Sequence, residues 1–299
     1  MSYRLKTREP IATGLRRIAR EQLQSAMLKI SEALGGEEAE AVHATRKHIK
    51  KARALLRLVR EGIGDEIYKE ENCQLGEVAR SLSGSRDARV RLEVVRRLAS
   101  DCEQEENVFG QTIALLEEAI ASVIHNFAER QRDTVTALER ICDRIEGWPL
   151  DHLAIGDLCC ALKESYRRGR KTYRTVSSEP TTENFHTWRK RVKEIWYQAR
   201  ILRNLNRIVL GEMAKATDAL GEHLGDLHDL AFLRAWLEAT EQIPEEECSL
   251  LLGLICIREG ELETVALDLG ARFFAEKPGA FERRTLRYGR EWPASPAIA

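Results

Sequence analysis

Apolar residues recur along this chain at intervals of three and four, and no proline falls between Pro10 and Pro149. That gap, rich in Leu, Ala, Glu and Arg, predicts helices throughout the first half. A first helix spans 8–34 and ends at Gly35-Gly36. A second opens on Glu37, Glu38 and Glu40, carboxylates that suit the positive end of the helix dipole, and closes at Gly62-Ile63-Gly64. A third helix reaches about Leu82, before the break Ser83-Gly84-Ser85. Another starts at Arg86-Asp87 and runs to about Cys102, and a long helical stretch covers about Val108 to Ile145. Gly147-Trp148-Pro149 is the candidate boundary.

The second half opens with a basic helix from Leu158 to Arg174. Ser177-Ser-Glu-Pro-Thr-Thr-Glu183 reads as a helix start, with a serine cap, an early proline and carboxylates. Helices are predicted over about 181–205, 209–223 and 228–243, and Pro244 introduces a last long one to about Phe274. From Lys277 onward, three prolines and Arg283-Arg284 predict a loosely docked tail.

Within the second helix the polar positions are sorted. With His43 at zero, Arg46, Lys47, Lys50 and Arg57 lie at about −60°, +40°, −20° and −40° on a helical projection. Ile49, Ala52, Leu55, Leu56 and Val59 take the opposite side, at about 120° to 240°. Residues 42–60 hold seven Lys/Arg and no carboxylate. A face selected for solubility alone would mix signs to form pairs four residues apart.

This pattern occurs twice. Phe185-His-Thr-Trp-Arg-Lys-Arg-Val-Lys193 aligns with Val42-His-Ala-Thr-Arg-Lys-His-Ile-Lys50, so His186, Arg189, Lys190, Lys193 and Arg200 repeat His43, Arg46, Lys47, Lys50 and Arg57. Leu82-Ser-Gly-Ser-Arg-Asp87 similarly aligns with Leu224-Gly-Asp-Leu-His-Asp229. The chain therefore reads as an all-α protein built from two copies of one helical unit, 1–147 and 148–276, followed by a tail over 277–299.

Composition changes the picture little. A length of 299 residues suits two units, and 43% hydrophobic content supports a core. The net charge of −1 argues against a polyanion partner only if charge is spread evenly, and here it is segregated. Seven cysteines without a CxxC spacing suggest buried, reduced thiols in a cytoplasmic protein, with Cys159-Cys160 inert. The N-terminus lacks a signal-peptide core, and the longest apolar run, Leu250 to Ile257, is too short to span a bilayer.

The duplicated His-x-x-Arg-Lys helix with its Arg/His-Asp corner resembles the CHAD family, the conserved histidine α-helical domain, over about residues 1–275. The resemblance implies two four-helix bundles related by a pseudo-two-fold axis, with the basic helices lining a groove or pore. It also implies binding of inorganic polyphosphate, in some members at polyphosphate granules. The chain has no ExExK motif, so the phosphatase activity of a triphosphate tunnel is not implied. It departs from the family pattern at His228, where Asn or Arg is usual. Glu194 also departs from the first copy, which has Lys51 there.

Polyphosphate offers charge and little else to recognise, so cation density must supply affinity. Arg46 and Arg189 would fork onto phosphoryl oxygens, with Lys47, Lys50, Lys190 and Lys193 as point charges. Arg53, Arg57 and Arg200 extend the stripes. His43 and His186 would donate ring N–H groups, and Tyr197, at about +20°, a hydroxyl at the groove edge. Arg16, Arg17 and Arg20 in the first copy, and Arg167, Arg168 and Lys171 in the second, are further candidates. Arg86 and His228 are expected at helix N-termini, where backbone N–H groups attract anions, and Asp87 and Asp229 as caps.

Two other readings compete. Metal binding is poorly served by the pairs His43/His48 and His223/His228, five residues apart and about 140° round a helix, which leaves only a site between His43 and His186. Nucleic acid would suit a cationic groove, but the first stripe has none of the aromatics that stack bases. No Walker loop or carboxylate cluster accompanies the stripes, so neither an enzyme nor a bound cofactor is expected. His125 and His152 read as ordinary surface or core residues.

Overall fold

A computed structural model describes residues 2–33, 38–82, 84–101, 108–122 and 127–292, without the side chains of 84–86 and 122. The described residues form α-helices and two short 3₁₀ turns, with no strand. The first half contains α1 (Ile11–Ser31), α2 (Glu38–Leu58), α3 (Arg60–Ile63), α4 (Asp65–Ser81), α5 (Gly84–Ser100), α6 (Gly110–Ser122) and α7 (Phe127–Arg144). The second contains α8 (Ile155–Ser178), α9 (Thr182–Ile201), α10 (Val209–Ala239), α11 (Glu245–Phe273) and α12 (Pro278–Arg290). Among these residues no helix is long and apolar enough to cross a membrane.

Each helix buries the stripe that its periodicity marks. In α1, Leu15, Ile18, Leu23, Ala26 and Ile30 face Val42, Ile49, Ala52 and Leu56 of α2 in a common core. The buried Thr45 is satisfied by donating to the Ala26 carbonyl at 3.2 Å. Gly64, at φ 82°, occupies the left-handed region that favours glycine and separates α3 from α4.

Packing follows a similar order in the two halves. In the first, α1 packs on α2 and α7, α2 on α4, and α5 on α6. In the second, α8 packs on α9 and α12, α9 on α10, and α10 on α11. The halves meet where α2 crosses α8 and α9, and where α5 lies on α10 and α11. Arg97 of α5 pairs with Asp226 of α10 at 2.8 Å, and Arg91 lies over the rings of Phe232 and Trp236.

Several sequence expectations change. The predicted break at 224–229 is absent: α10 runs through it, because Leu220, Leu224, Leu227, Leu230 and Leu233 keep a buried helical stripe across Gly225-Asp226. His228 and Asp229 therefore lie mid-helix, neither at an N-terminus nor as a cap. Within the long 108–145 stretch the described residues form α6 and α7, and residues 123–126 lie outside them. Ser177 ends α8 rather than starting α9, whose cap is Thr181, accepting from the Asn184 N–H at 3.2 Å. The tail is largely a docked helix: Phe281 of α12 is buried and stacks on Tyr166 with ring centroids 4.3 Å apart. Trp148 and Leu150, at the expected boundary, are buried, and the Trp148 carbonyl accepts from Arg16. Thiols are mixed rather than buried throughout: Cys73, Cys160 and Cys256 are exposed, and burial pushes Cys159 up to about 12. His152 is exposed, while Gly35-Gly36, Glu37, Ser83, Cys102 and His125 lie outside the described residues.

Candidate functional site

The two basic stripes do not simply open to solvent. Each leans on the next helix, and the arginines are covered while several lysines stay outside. In α2, the Arg46 guanidinium donates to the Ala79 carbonyl of α4, and Arg53 donates to Asn72 at 3.0 Å. His43, Lys47 and Lys50 remain exposed. In α9, Lys193 lies over Gly221 of α10 so closely that a Cβ there would meet its Cε at 2.8 Å. Arg189 passes Gly225, one turn further on, while Lys190 stays exposed.

Carboxylates from α10 accompany this stripe. Lys193 pairs with Glu222 at 2.8 Å and with Asp218 at 4.0 Å, beneath the ring of Trp196. The Lys193 hydrogen bond holds Glu222 below the usual carboxylate range, and Arg189 and Lys47 act in the same direction. Lys47 belongs to α2, so the two stripes share one field at this point. A second link appears at Lys51, which burial first, then Arg200 and Lys47, lower to about 8. Lys47, Lys51, Arg189, Lys193 and Arg200 therefore form one cationic field spanning α2 and α9.

Other candidates are engaged elsewhere. On α1, Arg16 pairs with Asp151 at 2.8 Å, Arg17 with Glu9 and Glu21, and Arg20 with Glu146. On α8, Arg167 pairs with Glu164 at 2.8 Å, and Lys171 is exposed. Glu194 is 4% exposed and accepts from Ser165, Arg168 and Arg191, with Arg57 at 3.9 Å. This carboxylate joins α2, α8 and α9 and engages Arg57 and Arg168, both half-buried. The Arg86 side chain lies outside the described residues.

Two aromatic expectations also change. Tyr197 is 6% exposed, and burial pushes its hydroxyl up to about 12, because Tyr3 of the N-terminal segment closes over it edge-on at 6.1 Å. It is a core residue rather than a groove donor. His186 faces His228, with their Nδ1 atoms 3.1 Å apart and the rings stacked at 4.4 Å. Burial, then Lys190 and Arg189, lower the His186 pKa, which favours a neutral ring donating to or accepting from its partner. Among the described residues no group of three or more His, Cys, Asp or Glu gathers as a metal site. Trp196, Asp218 and Glu222 are not among the sequence candidates, and Lys51 enters only as the first-copy counterpart of Glu194. Lys51 sits at about 80° on the projection, beyond the stripe, and only the crossing of α9 brings Arg200 to it.

The family model for the CHAD domain matches residues 17–238 of the chain. The crystal structure of the CHAD domain from the plant Ricinus communis is similar in fold. Its TM-score is 0.56 at 15% sequence identity, covering 93% of this chain and 94% of that one. No curated protein matches the chain.

Proposed function

Since the chain belongs to the CHAD domain family, we propose that it binds inorganic polyphosphate through the cationic field shared by α2 and α9. The observation that carries this reading is the convergence of Lys47 and Lys51 with Arg189, Lys193 and Arg200 beside Asp218 and Glu222. Arginines braced against neighbouring helices present fixed forks, and exposed Lys47, Lys50 and Lys190 add mobile charge at the rim. His43 lies on the same α2 face, at the end away from Arg57.

The reading is one of binding without hydrolysis. Both carboxylates beside the field are tied to Lys193, and a phosphoanhydride hydrolase needs carboxylates available for metal ions. It also implies a cytoplasmic setting, including polyphosphate granules. Nucleic acid is the competitor, but Lys193 and Arg200 already occupy the Trp196 ring, at 4.7 and 5.1 Å.

Calorimetry with long-chain polyphosphate tests the proposal. Affinity should fall steeply between low and physiological salt, and Arg189→Ala should cost about 1–3 kcal/mol without unfolding the protein. Salt-independent binding, tighter binding of RNA at matched phosphate, or phosphate release in the presence of magnesium would each overturn it.

A further inference from the structure

The α9 stripe leads somewhere. Arg189, Lys193, Trp196 and Arg200 follow one another along a single helix face and end at a cavity of about 440 Å³. Its other wall is the N-terminal segment, which crosses the end of α9 as a strap. The Leu5 N–H donates to the Ile201 carbonyl at 3.0 Å, and Asn204 donates to the Leu5 carbonyl at 2.7 Å. The Tyr3 hydroxyl donates to the Lys51 carbonyl of α2 at 2.8 Å, and Arg17 holds the carbonyls of Ser2 and Arg4. Tyr3 and Leu5 are buried, so the strap is built into the core.

Arg4, Arg200, Arg203 and Lys215 line the cavity with one carboxylate, Asp218, and Lys215 also pairs with Glu212 at 2.7 Å. Arg200 is held by aromatic faces, with its guanidinium carbon 5.6 Å from the Tyr3 centroid and 5.1 Å from that of Trp196. No carboxylate pairs with it among the described residues. Stacking fixes the plane of a guanidinium without using its N–H donors, so Arg200 is oriented and still able to donate. Arg203 is exposed and, among the described residues, also has no ion-pair partner. The depressed Lys51 beside Arg200 reflects the same uncompensated positive field, after burial.

We propose that this cavity is an end-binding pocket: it takes the terminal phosphate group of a linear phosphoanhydride chain, with Arg200 and Arg203 as its forks. A terminal group carries more charge than an internal one and projects three oxygens, which suits a concave pocket lined by several cations better than a straight groove. The strap walls the cavity at Ser2, Tyr3 and Arg4, so the last phosphate of the ligand would lodge against it. This inference rests on the polyphosphate reading for its natural ligand, although a free tripolyphosphate has the same terminal chemistry.

The test compares calorimetric affinities of linear tripolyphosphate, cyclic trimetaphosphate (which has no end) and long-chain polyphosphate. The proteins are the full chain, Arg203→Gln/Lys215→Gln, and Arg200→Lys, which keeps the charge but loses the fork. Both substituted positions of the double variant are exposed, so its fold is expected to survive. The linear-to-cyclic affinity ratio should fall at least fivefold in the double variant and in Arg200→Lys. In the double variant, long-chain binding should weaken less than threefold. An unchanged ratio, with both small anions weakened equally or not at all, would overturn the pocket. If long chains fail to bind while tripolyphosphate binds and is lost in the variants, the pocket stands and the groove reading falls.

Discussion

His48 illustrates how a cationic face acts on its own members. Its ring bonds Gln22 at 2.9 Å, and burial, then Lys51, Lys47 and Lys29, lower its pKa to about 4. In the unfolded chain the same ring takes a proton near pH 6.5. Between those values the unfolded state binds more protons, so stability is fully present above about 6.5 and is lost as pH falls towards 4. Urea midpoints should therefore drop between pH 7 and pH 5, and His48→Gln should flatten that slope; an equal slope in the variant would assign the loss elsewhere. Glu194 matters through its charge. Removing the one buried carboxylate among the half-buried Arg57, Arg168 and Arg191 leaves three like charges together with no counter-charge, so Glu194→Ala should cost about 1–3 kcal/mol in denaturant unfolding. The sequence showed Glu194 only as an interruption of the repeat, because Arg57, Ser165 and Arg168 reach it from other helices and Arg191 alone is local.

At the scale of elements, the basic helices were legible and their neighbours were not. Spacing alone put Ile49, Leu55 and Leu56 inside and Lys47 and Lys50 outside, as observed. It could not say that α4 and α10 would cover the arginines, nor that Tyr3 would bury Tyr197. The α10 continuity was hidden for a similar reason: Gly225-Asp226 is a weak local stop, and a leucine stripe packed on both sides overrides it. One consequence can be measured. Glu222 occupies Lys193 in the place a phosphate oxygen would take, so Glu222→Gln should tighten polyphosphate binding by up to about 1 kcal/mol, the worth of an exposed ion pair. Weaker binding in that variant would mean that Glu222 orients Lys193 instead of competing for it.

Across the whole molecule, the all-α class and the position of most helices followed from the sequence, while the C-terminal helix did not. Prolines and paired arginines after Lys277 looked like a tail, yet Phe281, Thr285 and Gly289 form a stripe that α8 covers. Phe281→Ala should accordingly cost about 3–5 kcal/mol, read as a shift in the denaturant midpoint, whereas a true tail would show no change. The uninterrupted α10 has a mechanical meaning as well. Thirty-one residues make a rod about 46 Å long. That rod carries Asp218, Glu222 and His228 along one beam and braces α5, α9 and α11 together. A wall of this kind transmits displacement without bending at the His186–His228 contact. His228 and Glu222 lie six residues apart on it, so their contacts to His186 and Lys193 are held about 9 Å apart along the axis.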